Sequence, residues 1–227
     1  MSAKRGKSER LDRYYTPAWM VEQTLHAARE SGALLPGCRV IDAGAGRGAF
    51  TTALLAAGHA VHAVDLDRGA LESIPRHPHL RRTVAPFLDV DDRAPLVVSN
   101  PPFSHAQAFV EHALRIAPAA VFLLRLGFVS TETRCEWLAS AMPRDVWLFR
   151  HRGAFQVPED SQCASTGCTK LGGHAGGHGK QGTDSAEYAV LVWRRHNPAA
   201  TRLRWLPAVP SEVRREFEAL SRKDSAS

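Results

Sequence analysis

One strand–turn–helix unit near the N-terminus constrains the fold of this sequence more than any other feature. Residues 38–42 read as a short buried strand, and the glycine-rich turn Asp42-Ala43-Gly44-Ala45-Gly46-Arg47-Gly48 follows directly. Helix-forming residues then continue as far as Gly58. A strand that enters a helix through a tight glycine turn is typical of α/β folds with a parallel sheet, because the glycines allow the sharp reversal.

The same alternation of strands and helices continues along the chain. Further strands are predicted at 60–65, 82–85, 96–99, 119–124, 146–150 and 187–193. Helices are predicted between Thr16 and Gly32, and at 105–116 and 131–141. We therefore expect an α/β fold with a mostly parallel seven-stranded sheet and helices on both faces. Ligands of such sheets lie beyond the carboxyl ends of the strands, so functional residues are expected just after positions 41, 64 and 99.

Composition and charge limit the class of protein. The 227 residues are 44% hydrophobic and 23% charged, which excludes a wholly disordered or fibrous chain. The longest apolar stretch, 117–129, is interrupted by Arg125 and is too short to span a membrane. The N-terminus lacks the apolar segment of a secretory signal, so a cytoplasmic protein is expected. A net charge of +6 favours a polyanionic partner, although a solvated basic surface would give the same value.

The sequence predicts one domain with an N-terminal arm, an internal insert and a C-terminal tail. Residues 1–11 are predicted to be a flexible basic arm, and residues 12–195 one domain. An insert at 157–184, rich in Gly, Ser, Cys and His, interrupts the alternation of strands and helices in this domain. The tail, 196–227, is predicted to hold one helix, from Ser211 to Ser221.

Charged residues around the glycine turn indicate the kind of ligand. The spacing G-x-G-x-G differs from that of dinucleotide folds, and a carboxylate at Asp42 would repel a pyrophosphate but suits a cation. S-adenosylmethionine carries an ammonium and a sulfonium. Asp65, at the end of the second strand, is placed to accept hydrogen bonds from ribose hydroxyls, and Leu66 to pack on adenine. An NAD site or an ordinary β–α turn is the alternative.

The segment Ser99-Asn100-Pro101-Pro102-Phe103 follows the fourth strand. The Asn100 side-chain carbonyl and the Pro101 backbone carbonyl can both accept hydrogen bonds from an amino group, while two prolines stiffen the loop and Phe103 offers a ring face. Together with the glycine turn, this segment resembles the class I S-adenosylmethionine-dependent methyltransferases of the N-P-P-F type, which act on exocyclic or amide nitrogens. The resemblance covers residues 11–195 and implies a Rossmann-like fold and catalytic roles for Asn100, Pro101, Pro102 and Phe103.

Three further segments resemble small phage and bacterial DNA adenine-N6 methyltransferases. Residues 12–17 are similar to a D-x-Y-x-T-P signature, residues 150–155 to an R-P-S-F segment, and residues 187–193 to an E-Y-A-x-x-V-W strand. The resemblance implies that Arg152 contacts phosphate and that Phe155 and Phe103 sandwich a flipped base. It implies the following cofactor-binding residues: Tyr15, Thr16, Pro17, Asp42, Gly44, Gly46, Gly48, Asp65, Leu66 and Asn100.

The expected activity is therefore methyl transfer to adenine N6, with nucleic acid as partner and DNA favoured over RNA. Methyltransferases of rRNA or tRNA bases and of protein glutamine carry related tetrapeptides and remain alternatives. The segment Tyr15-Thr16-Pro17 disfavours them. A non-catalytic nucleic-acid-binding module with this fold is a third alternative, which the presence of Asp42, Asp65 and Asn100 together disfavours.

The insert contains four residues of the types that bind zinc. Their spacing is Cys163-x4-Cys168-x5-His174-x3-His178, which supplies two thiolates and two imidazoles for a closed tetrahedral site. A loop with few apolar residues needs such a metal to become ordered. The sequence therefore predicts a structural zinc ion, with a glycine-rich loop that carries incidental cysteines as the alternative.

Overall fold

A computed structural model describes residues 16–151, 187–195 and 200–215 of the chain. Within these residues the sheet has eight strands, in the spatial order β3-β2-β1-β4-β5-β7-β6-β8. The strands in chain order are β1 (Arg39–Ala43), β2 (Ala60–Asp65), β3 (Leu80–Val84), β4 (Leu96–Ser99), β5 (Ala119–Arg125), β6 (Asp145–Leu148), β7 (Tyr188–Arg194) and β8 (Arg202–Trp205). The α-helices are α1 (Ala18–Glu30), α2 (Ala49–Ala56), α3 (Arg68–Ser73), α4 (Ala106–Ile116) and α5 (Glu132–Ser140).

The direction of the strands defines one functional edge of the sheet. Strands β1 to β5 pair in parallel with their neighbours, while β7 runs antiparallel between β5 and β6. Strand β8 pairs in parallel with β6. The carboxyl ends of all strands except β7 therefore lie at the same edge, which we call the carboxyl edge.

Helices cover both faces of the sheet, as the sequence predicted. Alternate residues of β4 point to opposite faces: Val98 packs in the cluster that contains α1 and α2, and Val97 in the cluster that contains α4. The central strands are apolar on both faces for this reason. Strand β5, for example, is buried from Ala119 to Leu124 and becomes exposed only at Arg125.

The eighth strand was not predicted from the sequence, which indicated seven. Strand β8 lies in the tail, for which only a helix was expected, and its sequence Arg-Leu-Arg-Trp carries little apolar signal. Ion pairs hold it in place: the Arg202 guanidinium donates to both oxygens of the fully buried Asp145 carboxylate, at 2.6 and 3.0 Å. The Arg204 guanidinium lies 3.5 Å from the same carboxylate. Pairing with a buried charge therefore replaces hydrophobic burial at this strand.

Several predicted segments lie outside the described residues. These are the basic arm at 1–11, the insert at 157–184 and the part of the C-terminal helix beyond residue 215. Residues 211–215 are helical, in agreement with the predicted start of that helix. Among the described residues, no helix has both the length and the apolar character needed to cross a membrane.

Candidate active site

The carboxyl edge brings together three of the segments that the sequence singled out. Strand β1 lies between β2 and β4, so the glycine turn, Asp65 and Asn100 become neighbours although they are far apart in sequence. The buried Ser99 hydroxyl donates to the carbonyl of Ala43, with 2.5 Å between the oxygens, and ties the end of β4 to the end of β1. The predicted clustering after residues 41, 64 and 99 is therefore present.

The glycine turn is tied to the end of β2. The amide nitrogens of Gly44 and Ala45 both donate to the carbonyl of Val64, at 2.9 and 3.0 Å. The Gly46 amide donates to Asp65 Oδ2 at 2.8 Å. Gly46 has a φ of +53°, and a Cβ built there would meet no atom within 4 Å. The turn therefore borders open space at Gly46, which is the space that a ligand lying on the backbone would need.

Gly48 serves a different purpose from Gly46. It has a φ of +82° and precedes α2, and an added Cβ would lie 2.8 Å from the side chain of Ile74. Ile74 is itself buried, so that side chain has no room to withdraw. The glycine at this position is needed for packing, whereas the glycine at position 46 leaves room for a ligand.

Asp65 both organises the turn and keeps acceptor capacity. Its Oδ2 accepts from the Gly46 amide, and its Oδ1 accepts from the Asp67 amide at 2.8 Å. Each carboxylate oxygen has a second lone pair, so the group can accept two ribose hydroxyls as well. The next residue, Leu66, is 58% exposed, which places an apolar side chain beside this carboxylate. The pair fits a nucleoside: a carboxylate for the ribose and an apolar surface for the base.

Asp42 is buried and bonded within the protein. Its Oδ2 accepts from the Thr51 amide at 2.9 Å and from the Thr51 hydroxyl at 2.6 Å, which anchors the first turn of α2 to the end of β1. Burial raises the pKa of Asp42 to about 7. The bonds from Thr51 lower this pKa, and the negative charge of Asp65 raises it. Its role towards a cofactor stays a prediction.

This raised pKa predicts how stability depends on pH. A carboxyl whose pKa is higher in the folded state than in the unfolded state binds its proton more tightly when folded. The free energy of unfolding therefore falls as pH rises from the unfolded pKa through about 7, where Asp42 ionises in the folded protein. We expect wild type to lose about 3 kcal/mol more than Asp42→Asn between about pH 5 and pH 7.5, as measured by urea unfolding. Parallel curves for the two proteins would contradict this prediction.

Asn100 is held by a side chain from the first residue of the described sequence. Its Nδ2 donates to the Thr16 hydroxyl at 2.9 Å, across 84 residues of sequence. Its Oδ1 is buried and has no hydrogen-bond partner among the described residues. A buried acceptor without a donor costs about 1–3 kcal/mol, so such atoms are rare and call for a functional reason. Thr16 was predicted to bind a cofactor, which stays a prediction; in the structure its hydroxyl orients the Asn100 amide.

The two prolines after Asn100 differ in the use of their carbonyls. The Pro102 carbonyl accepts from the His105 amide at 2.9 Å, within the short turn that leads into α4. No donor among the described residues bonds the Pro101 carbonyl. Asn100 Oδ1 and the Pro101 oxygen are therefore two acceptors, on adjacent residues, that no described residue pairs with. The sequence analysis expects these two acceptors to hold an amino group, and that role stays a prediction.

Phe103 has a neighbour that the sequence did not reveal. The Arg125 guanidinium lies over the Phe103 ring, with its central carbon 4.2 Å from the ring centroid. Tyr188 lies 6.0 Å from the same ring, centroid to centroid, at an interplanar angle of 46°. In the sequence, the only signal that could have identified Arg125 is its position as the first charged residue after the apolar run of β5. Its guanidinium stabilises the position of the ring.

The two ends of the carboxyl edge carry opposite charge. Asp42 and Asp65 end the strands on the side of the glycine turn. Exposed Arg125 ends β5 and exposed Arg150 follows β6 on the other side. Glu187, which precedes β7, is the carboxylate among these positive groups. The edge therefore offers an acidic side that suits a cation or hydroxyls, and a side with excess positive charge beyond Asn100.

The remaining predicted site residues lie outside the described residues. They are Tyr15, Arg152 and Phe155, and the four predicted zinc ligands Cys163, Cys168, His174 and His178. Within residues 16–151, 187–195 and 200–215, no group of three His, Cys, Asp or Glu side chains is arranged to hold a metal ion. The zinc site and the base sandwich with Phe155 therefore stay predictions.

Neither a family model nor a curated protein matches the sequence. Solved structures do share the fold. A type I restriction-modification methyltransferase subunit from Streptococcus thermophilus matches with a TM-score of 0.61 at 12% identity, over 93% of this chain and 53% of its own. A candidate RNA methyltransferase from Pyrococcus horikoshii matches with a TM-score of 0.58 at 15% identity, over 86% of this chain and 93% of its own. Magnesium protoporphyrin IX methyltransferase from Synechocystis, which has S-adenosylmethionine bound, matches with a TM-score of 0.50 at 15% identity, over 78% and 79%. The chain therefore has the Rossmann-like fold of S-adenosylmethionine-dependent methyltransferases.

Proposed function

We propose that this protein transfers a methyl group from S-adenosylmethionine to an exocyclic amino nitrogen of a nucleic-acid base, with adenine N6 in DNA as the first candidate. The observation that carries the proposal is a pair of acceptors beside the glycine turn, Asn100 Oδ1 and the Pro101 carbonyl, for which the described part of the chain supplies no donor. An amino group has two N–H donors and is the natural partner for two acceptors. A buried oxygen that lacks a donor gains a hydrogen bond only when such a group arrives.

The cofactor fits the acidic side of the carboxyl edge. Asp65 would bind the ribose hydroxyls, Leu66 would pack on the adenine, and the open space at Gly46 would take the methionine part of the cofactor. S-adenosylmethionine, when bound, supplies a methyl group that its sulfonium makes electrophilic. The buried, ionisable Asp42 would favour a positively charged ligand.

The residues of this chain would activate the target nitrogen by orientation. The lone pair of a base amino group is delocalised into the ring, which makes the nitrogen a poor nucleophile. Hydrogen bonds from its two N–H groups to Asn100 Oδ1 and the Pro101 carbonyl would hold the lone pair towards the cofactor. Phe103 would stack on the base, with Arg125 fixing the ring from behind. No general base is required before transfer, since the proton can leave to water afterwards.

The positive side of the edge supports a phosphate-bearing substrate over a protein. Arg125 and Arg150 are exposed there and suit phosphodiester groups, whereas a glutamine side chain offers no negative charge. The preference for DNA rests on the resemblance of residues 12–17, 150–155 and 187–193 to small DNA methyltransferases. Methylation of an RNA base is the second candidate, because the chain covers 93% of the Pyrococcus horikoshii protein but only 53% of the restriction-modification subunit.

Methyl transfer from labelled S-adenosylmethionine, to unmethylated DNA and to RNA in parallel, tests the proposal. Digestion to nucleosides and mass spectrometry would identify the product. N6-methyladenosine in the DNA digest alone would support the first candidate, and label in RNA alone would support the second. Binding of S-adenosylmethionine without transfer to either polymer would overturn the activity on nucleic acid and favour a protein substrate or a non-catalytic module.

We also propose that Cys163, Cys168, His174 and His178 bind a structural zinc ion near the substrate side. The donor set of two thiolates and two imidazoles supports this, together with the small number of apolar residues that could order the insert. Protein purified without chelator should contain about one zinc ion per chain by elemental analysis. The double variant Cys163→Ser, Cys168→Ser should contain none. A metal-free wild type would refute the site.

A further inference from the structure

A basic and aromatic surface lies at the carboxyl edge beyond the candidate active site. Trp205 is the last residue of β8, pairs in register with Leu148 at the end of β6, and is 58% exposed. Trp137 is partly exposed, whereas Trp19, Trp147 and Trp193 are buried. The described part of the chain therefore leaves most of the Trp205 indole open to contact.

Arg150 lies beside this tryptophan, and Arg214 adds positive charge near Arg150. Exposed Arg150 donates from Nε to the carbonyl of Leu206, the residue after Trp205, at 3.1 Å. Burial lowers the pKa of the neighbouring His151, and the positive charges of Arg214 and Arg150 lower it further. The Nε of Arg214 is buried without a hydrogen-bond partner among the described residues. We call Arg150, Trp205 and Arg214 the flank surface.

The flank surface and Asn100 lie along one edge of the sheet at a distance that a nucleic-acid strand can span. Four strand spacings separate β4 from β8, which corresponds to about 19 Å. Stacked nucleotides advance by about 3.4 Å each, so up to about six would bridge the gap. Arg125 at the end of β5 lies between the two places and would contact phosphate along this path.

We propose that the flank surface binds an unpaired nucleotide of the substrate strand, with Trp205 stacked on the base and Arg150 and Arg214 against its phosphates. The inference rests on the proposed function and specifies its substrate: a single-stranded or locally opened strand that extends beyond the target base. Aromatic and arginine side chains together form the usual platform for unpaired bases. A second copy of this chain, docked on β8, the last strand of the described sheet, is the competing occupant.

Binding to a fluorescein-labelled single-stranded 20-mer, as DNA and as RNA, tests the flank surface by anisotropy. Trp205→Ala should weaken binding roughly ten-fold or more, and Trp205→Phe should recover most of the loss because the ring face remains. Leu203→Ala is the matched control, because Leu203 is 68% exposed on the same strand and face but lies farther from the arginines. It should bind within about two-fold of wild type. Thermal unfolding of each variant would show that the fold is intact.

The outcomes separate this inference from the proposed function. If Trp205→Ala binds the 20-mer as tightly as wild type does, the inference about the flank surface is wrong, whether or not methyl transfer occurs. A second result would also overturn the flank surface. If Leu203→Ala and Trp205→Ala weaken binding of the 20-mer equally, and both abolish a dimer that wild type forms in sedimentation, the surface binds a second copy of the chain. Wild type that binds the 20-mer through Trp205 but transfers no methyl group to DNA or RNA would instead overturn the proposed function alone.

Discussion

Replacement of Asn100 by alanine is expected to lower the rate of methyl transfer by about 10²–10³-fold or more, while the protein stays folded and still binds S-adenosylmethionine. The variant removes the buried Oδ1 acceptor and leaves the Pro101 carbonyl as the remaining partner of the amino group. The lone pair of the target amino nitrogen is then no longer held towards the methyl group of the cofactor. Single-turnover transfer with saturating cofactor measures this step, and calorimetry measures cofactor binding separately.

Thr16 supplies the matched comparison for this experiment. Thr16→Val keeps the shape of the side chain but removes the hydroxyl that accepts from Asn100 Nδ2. We expect kcat to fall roughly ten-fold with little change in the cofactor KM, and Thr16→Ser to restore most of the activity. A raised cofactor KM with unchanged kcat would contradict the orienting role and would support the direct cofactor contact that the sequence resemblance implies. Unaltered transfer by Asn100→Ala would refute the site itself.

Replacement of Asp65 by alanine is expected to reduce the affinity for S-adenosylmethionine by about 100-fold or more. Two effects add. The variant removes the acceptors for the ribose hydroxyls, and it frees the amides of Gly46 and Asp67, which the carboxylate holds at 2.8 Å. The glycine turn then loses the conformation that leaves room for the ligand. Titration calorimetry with S-adenosylmethionine and with S-adenosylhomocysteine measures the loss.

The two ligands and a control variant make the result on Asp65 specific. Both ligands contain the same ribose, so both affinities should fall by similar factors. Asp91→Ala removes an exposed carboxylate elsewhere on the surface and should leave both affinities within about two-fold. A loss confined to S-adenosylmethionine would mean that Asp65 acts on the sulfonium charge, which would contradict the assignment to the ribose.

Local chemistry made most of the acidic side of the carboxyl edge predictable. Glycines that precede a helix must turn sharply, and a carboxylate at the end of a parallel strand must lie at the ligand-binding edge, so Asp42, Gly46 and Asp65 could be placed from the order of elements alone. The different purposes of Gly46 and Gly48 could not. Whether an added Cβ meets open space or Ile74 depends on a buried side chain 26 residues further along the chain.

The substrate side depended more strongly on long-range contacts. The sequence indicated Asn100 and Phe103 but not the Thr16 hydroxyl that orients the first or the Arg125 guanidinium that covers the second. Both contacts join elements that are distant in sequence, and neither leaves a periodic pattern. Strand β8 was not predicted for a related reason. It has no apolar face that marks it in the sequence, and the buried Asp145 carboxylate on another strand holds it instead.

The sequence by itself determined the α/β class, the parallel strands, the helices on both faces and the segments that meet at the carboxyl edge. These follow from hydrophobic periodicity and turn chemistry, which act between near neighbours in the chain. Only the tertiary structure decided which acceptors at Asn100 and Pro101 lack a donor among the described residues, and that positive charge collects at the far side of the edge. Those properties arise when side chains from separate elements compete for the same partners, so they exist only once the sheet has assembled.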